Sequence, residues 1–489
     1  MTAAYATLAP VTDVDPSTSE RDSRPAPALT SDDLVRLTGG RLLSRSDRPI
    51  RGAAVDSRRV TGGEVFVALP GERTDGHAFL SDAIARGAAA LIVARPWPDP
   101  ETIGDVTVVR VPDPLAALWA IASGWRARFD PLVVGVTGSI AKTSTKEAVA
   151  TVLSRRFRTL RNEGNQNNEI GLPLTLMRLE PRHQAAVLEM GMYVGGEIAD
   201  LARMARPSIG VVTAVQPVHL ARIGSLEAIE AAKGELLEAL PPDGRAILNA
   251  DDPIVRRMAS RSRARSLTYG FADDADVRGD AVVPAGLDGM RFTLRSGGAS
   301  RSVTIPMLGR LSVHNALAGA AVGQAAGLGI DQVVEGLRGG WSAPHRVQLV
   351  RLGQLTLIDD TYNASPQSVL AALDLLADLP GRHAAVLGEM LELGEASDEG
   401  HREVGRATAG TVDWLVVVGD GAEGIAEGAI AGGMDPSRVI RVQDAEGALE
   451  VVPHRVRGGD VVLLKASRGI GLDRVVDGLS SQLGDRAER

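Results

Sequence analysis

The stretch VVGVTGSIAKTSTKEAVA, residues 133–150, constrains the fold of this chain more than any other. An apolar run ends in a turn at Gly138 and Ser139, and Lys142, Thr143 and Ser144 open a segment of helical pattern. A strand that passes at once into a helix belongs to a parallel sheet, because the helix must carry the chain back before the next strand begins. The start of such a helix aims backbone N–H groups and a positive dipole end at an anion. The usual nucleotide loop reads G-x-x-x-x-G-K-[ST]. Here Val136 and Ala141 stand at its two glycine positions. On the loop alone, a nucleotide site at Gly138, Ser139, Ala141, Lys142, Thr143 and Ser144 and a plain strand-to-helix turn are evenly matched. In the first reading Lys142 reaches the outer phosphates and the Thr143 hydroxyl faces Mg²⁺. A left-handed backbone at Ala141 would cost about 1–2 kcal/mol, so right-handed dihedrals are expected there.

The same alternation of strand and helix runs through the chain. At 489 residues, about three domains are expected. Residues 1–28, rich in Pro, Ser, Thr and Asp, have the composition of a disordered tail and lack the basic start and apolar core of a signal peptide. Residues 29–128 form a small α/β domain, with TSDDLVRLTGG a helix capped by Thr30 or Ser31. Residues 129–343 form a larger one, with PLVVGVTG, AAVLEMG, IGVVTAV and GRAILNAD as buried parallel strands. Alternating strands between about 266 and 305, SLTYGFA among them, are expected to form a small antiparallel insertion. After WSAPHR, residues 344–489 return to strands alternating with helices, a third α/β domain of Rossmann-like pattern.

Composition narrows the function. A net charge of -8 gives no broad attraction to nucleic acid or an anionic membrane. The absence of cysteine excludes disulfides, thiolate metal sites and a cysteine nucleophile. Apolar stretches such as LAALWAIASGW are too short to span a bilayer. A cytoplasmic, monomeric protein that is not membrane-inserted is expected.

The polar residues at strand ends are the candidates for chemistry, since ligands of open parallel sheets sit beyond those ends. Glu189 ends AAVLEMG and supplies the hard oxygen that Mg²⁺ prefers. His219 lies just past the next strand. RNEGNQNNEIGLPLTL crowds amides around Asn165, Asn168 and Glu169, as suits a polar substrate or an ordinary turn. Arg58 and Asp75 sit at strand ends of the first domain. In the last, Asp359, Asp360, Tyr362 and Asn363 follow one strand, and Lys465, Ser467 and Arg468 another. Asp360 suits a nucleotide; Lys465 and Arg468 suit a carboxylate. Lys233, between acidic neighbours, has the pattern of a solvent-facing lysine.

In order along residues 29 to about 475, DSR…GEVFVALPGERTDGH, TGSIAKTSTKE, GNQNNEIGLPLTL, LEMG…GEIA, HL…GSLEAIEAAKGE, LNADD, HNALA, PHR and DDTYNASP resemble the Mur ligases, the ATP-dependent amide ligases of peptidoglycan precursor assembly. NNEIGLPLTL, DDTYNASP and LGEMLELG are most similar to the member that joins D-alanyl-D-alanine to UDP-N-acetylmuramoyl-tripeptide; the D-N-P-R signature of the diaminopimelate-adding member is absent. The resemblance implies that Lys142 and Thr143 hold ATP phosphates and Mg²⁺, that Glu189 and His219 ligate Mg²⁺, and that Lys233 is carbamylated. It implies that Asn315 meets adenine and that Arg346 and Asp360 reach ATP. Ser57 and Arg58 would lie near the uridine nucleotide, and Asn165, Asn168 and Glu169 in the substrate loop. Tyr362, Asn363, Lys465 and Ser467 would line the incoming dipeptide. The family loop reads T-G-[ST]-x-G-K-T, so Ala141 departs from it, as does the charged approach RNEG to the asparagines. A ligase of the same fold with another amine or carboxylate, and a silent nucleotide-binding homologue, are the alternatives. Against the second stands the joint presence of Lys142, Thr143, Glu189, His219, Lys233, Asn315, Arg346 and Asp360.

Overall fold

The structure is a computed structural model that describes residues 27–71, 74–95, 104–216 and 224–487. The chain separates into two compact units, one running to Val277 and including Ala318–Val333, the other holding Arg278–Leu317 and the chain from Val334 onward.

The first unit contains two sheets. Strands β1 (Arg41–Ser44), β2 (Ala53–Ala54), β3 (Val65–Val67), β4 (Ala90–Val93) and β5 (Thr107–Arg110) form the smaller, in the order β1-β5-β4-β3-β2. Only β1 is antiparallel to its neighbour. Thr30 caps the helix Ser31–Thr38, with Asp33 completing a capping box.

The larger sheet uses β6 (Leu132–Thr137), β7 (Thr159–Arg161), β8 (Ala185–Glu189), β9 (Ile209–Val212), β10 (Arg245–Asn249) and β11 (Arg265–Gly270). Their order is β11-β10-β9-β6-β8-β7 and every pairing is parallel. SLTYG is thus β11, the sixth parallel strand, and not part of an antiparallel insertion. The residue types of SLTYGFA suit a strand but do not say which way its neighbour β10 runs. Strand β6 lies between β8 and β9, so its C-terminal loop opens where the sheet order reverses.

The two sheets share one hydrophobic core. The helix Pro114–Arg126 is capped by Asp113 and buries Leu118, Ile121 and Trp125. It contacts the helices Ser31–Thr38, Gly171–Leu176 and Glu197–Ala205. The Trp125 indole N–H donates to the Leu179 carbonyl at 3.1 Å. LAALWAIASGW is apolar because it is covered from both sides. No helix among the described residues is long and apolar enough to cross a membrane.

In the second unit, β12 (Val277–Pro284), β13 (Met290–Ser296) and β14 (Ala299–Ile305) follow in order, with β13 and β14 antiparallel. Strands β15 (Gln348–Leu352), β16 (Leu355–Asp359), β17 (Arg382–Gly388), β18 (Trp414–Val418), β19 (Val439–Val442) and β20 (Asp460–Lys465) form a six-stranded sheet. Its order is β15-β16-β20-β17-β18-β19, parallel except for β15, with apolar clusters on both faces.

Candidate active site

At the end of β6 the chain turns through Gly138, whose φ is 151°. A Cβ there would lie 1.9 Å from the Thr213 hydroxyl oxygen, so no side chain fits. The loop is tied to the end of β9. The Ser139 N–H donates to Ala214 O at 2.7 Å, and the Thr213 hydroxyl donates to Ile140 O at 2.6 Å. Ala141 then precedes the helix Lys142–Leu153 with φ 62° and ψ 4°. The expectation of right-handed dihedrals is wrong. The tethers hold the chain up to Ile140 and the helix begins at Lys142, which leaves one residue in which to reverse, and that reversal is left-handed. The Lys142 ammonium lies back over the loop, donating to Gly138 O at 2.8 Å and Ser139 O at 3.3 Å. Ser144 is half-buried in the same first turn.

Thr143 and Glu189 come together beyond the strand ends. The Thr143 hydroxyl donates to Glu189 Oε2 at 2.8 Å, and the Asn167 amide donates to Oε1 at 2.7 Å. Glu189 is 2% exposed. Asn162, fully buried, clasps its backbone: Oδ1 accepts from Glu189 N at 2.9 Å and Nδ2 donates to Glu189 O at 3.1 Å. The Lys146 ammonium donates to Asn162 O at 2.6 Å from the helix that carries Thr143. Asn162, Asn167 and Lys146 are the residues that sequence reading passed over. The crowding of amides was a usable signal; which of them turns toward Glu189 depends on a strand 22 to 27 residues away.

Lys233 is not solvent-facing. It is 3% exposed on the helix Leu226–Glu238, and burial, then the nearby Lys142 ammonium, push its amine well below the usual lysine range. The cause lies in the sheet. Gly135 of β6 and Gly210 of β9 are paired, and both leave room for Leu236. Lys233, three residues earlier, lies on the same inward face. Ile229, Ala232, Lys233, Leu236 and Leu237 are all buried, a stripe with helical spacing in which the lysine takes an apolar position.

His219 lies outside the described residues. Asn165 is exposed. Asn168 Oδ1 accepts from Gly171 N at 2.9 Å, and Glu169 O accepts from the Trp119 indole at 2.7 Å, so parts of both hold the loop in place. In the smaller sheet, Ser57 is buried and its hydroxyl bonds Asp82. Arg58 is exposed and paired with Asp56 at 2.7 Å. Asp75 is paired with His77 and Arg95.

In the second unit Asn315 is 4% exposed on the helix Arg310–Ala325. Asp360 and Lys465, read from sequence as facing different ligands, face each other: Lys465 Nζ lies 2.5 Å from Asp360 Oδ2 and 2.9 Å from Asn363 O. Burial raises the Asp360 carboxyl and the lysine opposes it. Ser467 is buried, and its hydroxyl accepts from Leu391 N at 2.9 Å. Arg346 stacks on Tyr362, its guanidinium carbon 3.8 Å from the ring centroid. Arg468 lies 5.1 Å from the same centroid.

These groups fit a magnesium nucleotide. The Lys142 ammonium lies across a loop suited to a polyanion, and the buried Glu189 carboxylate faces neutral donors where a cation would compensate it. Among the described residues no three His, Cys, Asp or Glu side chains cluster as a ready-made metal cage.

A strand-end anion loop backed by a buried carboxylate and a hydroxyl has the build of a phosphate-loop α/β protein. The chain matches three family models: "Mur ligase family, catalytic domain" over residues 49–126, "Mur ligase middle domain" over 136–323, and "Mur ligase, glutamate ligase domain" over 345–468. A UDP-N-acetylmuramoyl-tripeptide--D-alanyl-D-alanine ligase of Synechocystis is 38% identical over 442 residues, covering 89% of this chain and 93% of the relative. A crystal structure of MurF from Acinetobacter baumannii matches with a TM-score of 0.85 at 28% identity, covering 94% of this chain and 100% of that one. A MurF ligase from Thermotoga maritima, solved in complex with ADP, matches with a TM-score of 0.77 at 29% identity, over 89% of this chain and 99% of that one. The chain belongs to the Mur ligase family.

Proposed function

We propose that this chain is an ATP-dependent ligase that joins D-alanyl-D-alanine to UDP-N-acetylmuramoyl-tripeptide in peptidoglycan precursor synthesis. The observation that carries the reading is the loop after β6, with Lys142 across it and Thr143 on buried Glu189, in a chain whose relatives of that name match it nearly end to end.

A carboxylate is a poor acyl donor. A terminal carboxylate oxygen of the tripeptide attacks the γ-phosphorus of ATP, and ADP leaves. The amine of the dipeptide then attacks the carbonyl carbon, the C–O bond to phosphate breaks, and the nitrogen gives up a proton. The chain's part is to position the reactants and neutralise phosphate charge. Lys142 and the N–H groups of the loop hold phosphate oxygens. Thr143 and Glu189, with His219, would hold Mg²⁺, which when bound withdraws charge from the phosphates. The neutral amine, the form that burial favours at Lys233, is the one that adds carbon dioxide; with loss of its proton the carbamate would place an anion beside the metal site. Residues 29–128 would hold the nucleotide sugar, 129–343 ATP, and 344–489 the dipeptide. The protein works as a cytoplasmic monomer in this reading.

The test is ATP-dependent phosphate release. It should require both UDP-N-acetylmuramoyl-tripeptide and D-alanyl-D-alanine; equal rates with an unrelated amine exclude the dipeptide assignment. Lys142→Ala should abolish release, and full activity in that variant excludes the loop assignment.

A further inference from the structure

Lys465 and Arg468 both suit a carboxylate by sequence, but Lys465 is taken by Asp360. Arg468 is exposed, and among the described residues its guanidinium has neither a hydrogen bond nor a carboxylate within reach. The same holds for the half-buried guanidinium of Arg346, which acts on Asp360 only through space. Two unpaired cations therefore converge on one aromatic ring, Tyr362.

The backbone around Arg346 is constrained to match. His345 and Val347, on either side of it, have φ of 61° and 51°. Such conformations are costly for residues with a Cβ and persist only where surrounding contacts enforce them. Here His345 Nδ1 lies 2.8 Å from Asp359, Val347 N donates to Asp360 at 3.2 Å, and Tyr362 N donates to His345 O at 3.0 Å. The strand-end loop after β16 thus fixes the three-residue segment, and the Tyr362 ring carries the guanidinium. A planar guanidinium stacked on a ring keeps its N–H donors in the plane, directed past the ring edge, where a carboxylate or phosphate can take two at once.

We propose that Arg346 and Arg468 form an oxyanion clamp on the Tyr362 platform, with Arg468 a substrate-recognising residue and Tyr362 the residue that positions both. The oxyanion is either the terminal carboxylate of the incoming dipeptide or a phosphate of the nucleotide. The proposal rests on the ligase reading above. Tyr362 then acts through its ring and not through its hydroxyl.

The experiment uses the full chain and begins with wild-type turnover of D-alanyl-D-alanine. No turnover would count against the ligase reading and not against the clamp. Given turnover, Arg468→Gln should raise one KM about tenfold or more, the loss expected when a charge-assisted hydrogen bond to substrate is removed, with kcat changed less than about threefold. Arg468→Lys should fall between. If the affected KM is that of the dipeptide, its C-terminal amide should cost the wild type a similar factor and Arg468→Gln nothing further. That result assigns the carboxylate. If the affected KM is that of ATP, the phosphate is assigned. Tyr362→Leu should raise the same KM as Arg468→Gln, while Tyr362→Phe, which keeps the ring, should raise it several-fold less. Arg468→Gln with both KM values unchanged and a wild-type melting curve overturns the clamp. A loss in Tyr362→Phe equal to that in Tyr362→Leu overturns the platform.

Discussion

Ala141 is an alanine in a conformation that favours glycine, at φ 62°. Replacement by glycine would relieve about 1–2 kcal/mol of backbone cost, offset by about 0.4–1 kcal/mol from the greater freedom of glycine in the unfolded chain. Ala141→Gly should therefore raise stability by up to about 1.6 kcal/mol, measured by urea unfolding, without loss of nucleotide binding. Lys233 allows a prediction in pH. Its folded value lies well below 10.5, so between that value and 10.5 the unfolded chain binds a proton that the folded chain does not. Stability must rise with pH across that window, with a slope of at most about 1.4 kcal/mol per unit from this group. Lys233→Met should flatten the slope and raise stability at pH 7, measured in buffer free of carbon dioxide. Both residues show how far sequence carries. The loop was legible from its residue types and order. The sign of φ at Ala141 was not, because tethers to Thr213 and Ala214 set it. Lys233 was misread because its charged neighbours suggested an exposed face while its true stripe-mates, Ile229 and Leu236, were apolar.

At the scale of elements, the paired glycines of β6 and β9 decide how closely the helix Leu226–Glu238 approaches the sheet. A methyl on Gly135 would lie 2.7 Å from Leu236 Cδ1. Gly135→Ala should destabilise by about 1–3 kcal/mol through overpacking. Combined with Leu236→Ala, the two effects should fall short of additivity by about 1 kcal/mol or more, because the second substitution removes the atoms the first one strikes. Additive effects in a double-mutant cycle would contradict the close approach. Strand identity and most helix spans were legible from period and burial. The parallel pairing of β11 with β10 was not, since the residues of a strand do not say which way its neighbour runs. Asn162 was not legible either, because its partner, Glu189, is supplied by a strand that follows a whole helix later.

For the molecule as a whole, ligand binding should be visible as stability. ATP with Mg²⁺ at about 100 times its dissociation constant should add about 2.7 kcal/mol to unfolding. Part of that gain should vanish when EDTA replaces Mg²⁺. In Glu189→Gln the metal-free gain should remain and the magnesium-dependent part should disappear, read as melting-temperature shifts; a full magnesium increment in that variant would remove Glu189 from the metal site.

The core shared by the two sheets of the first unit has a consequence for synthesis on the ribosome. The helix Pro114–Arg126 is made before Leu172, Leu176 and Leu201, the residues that cover its far side. At about 5–20 residues per second, some 80 residues must still be added over roughly 4–16 seconds before its last partner helix, ending at Ala205, exists. During that interval the side of the helix that Leu172, Leu176 and Leu201 cover lacks those partners. The small first sheet has all its strands by then, and one of its faces already has its own core of Phe66, Leu80, Leu91 and Val108, while the face toward the helix still lacks Leu172, Leu176 and Leu201.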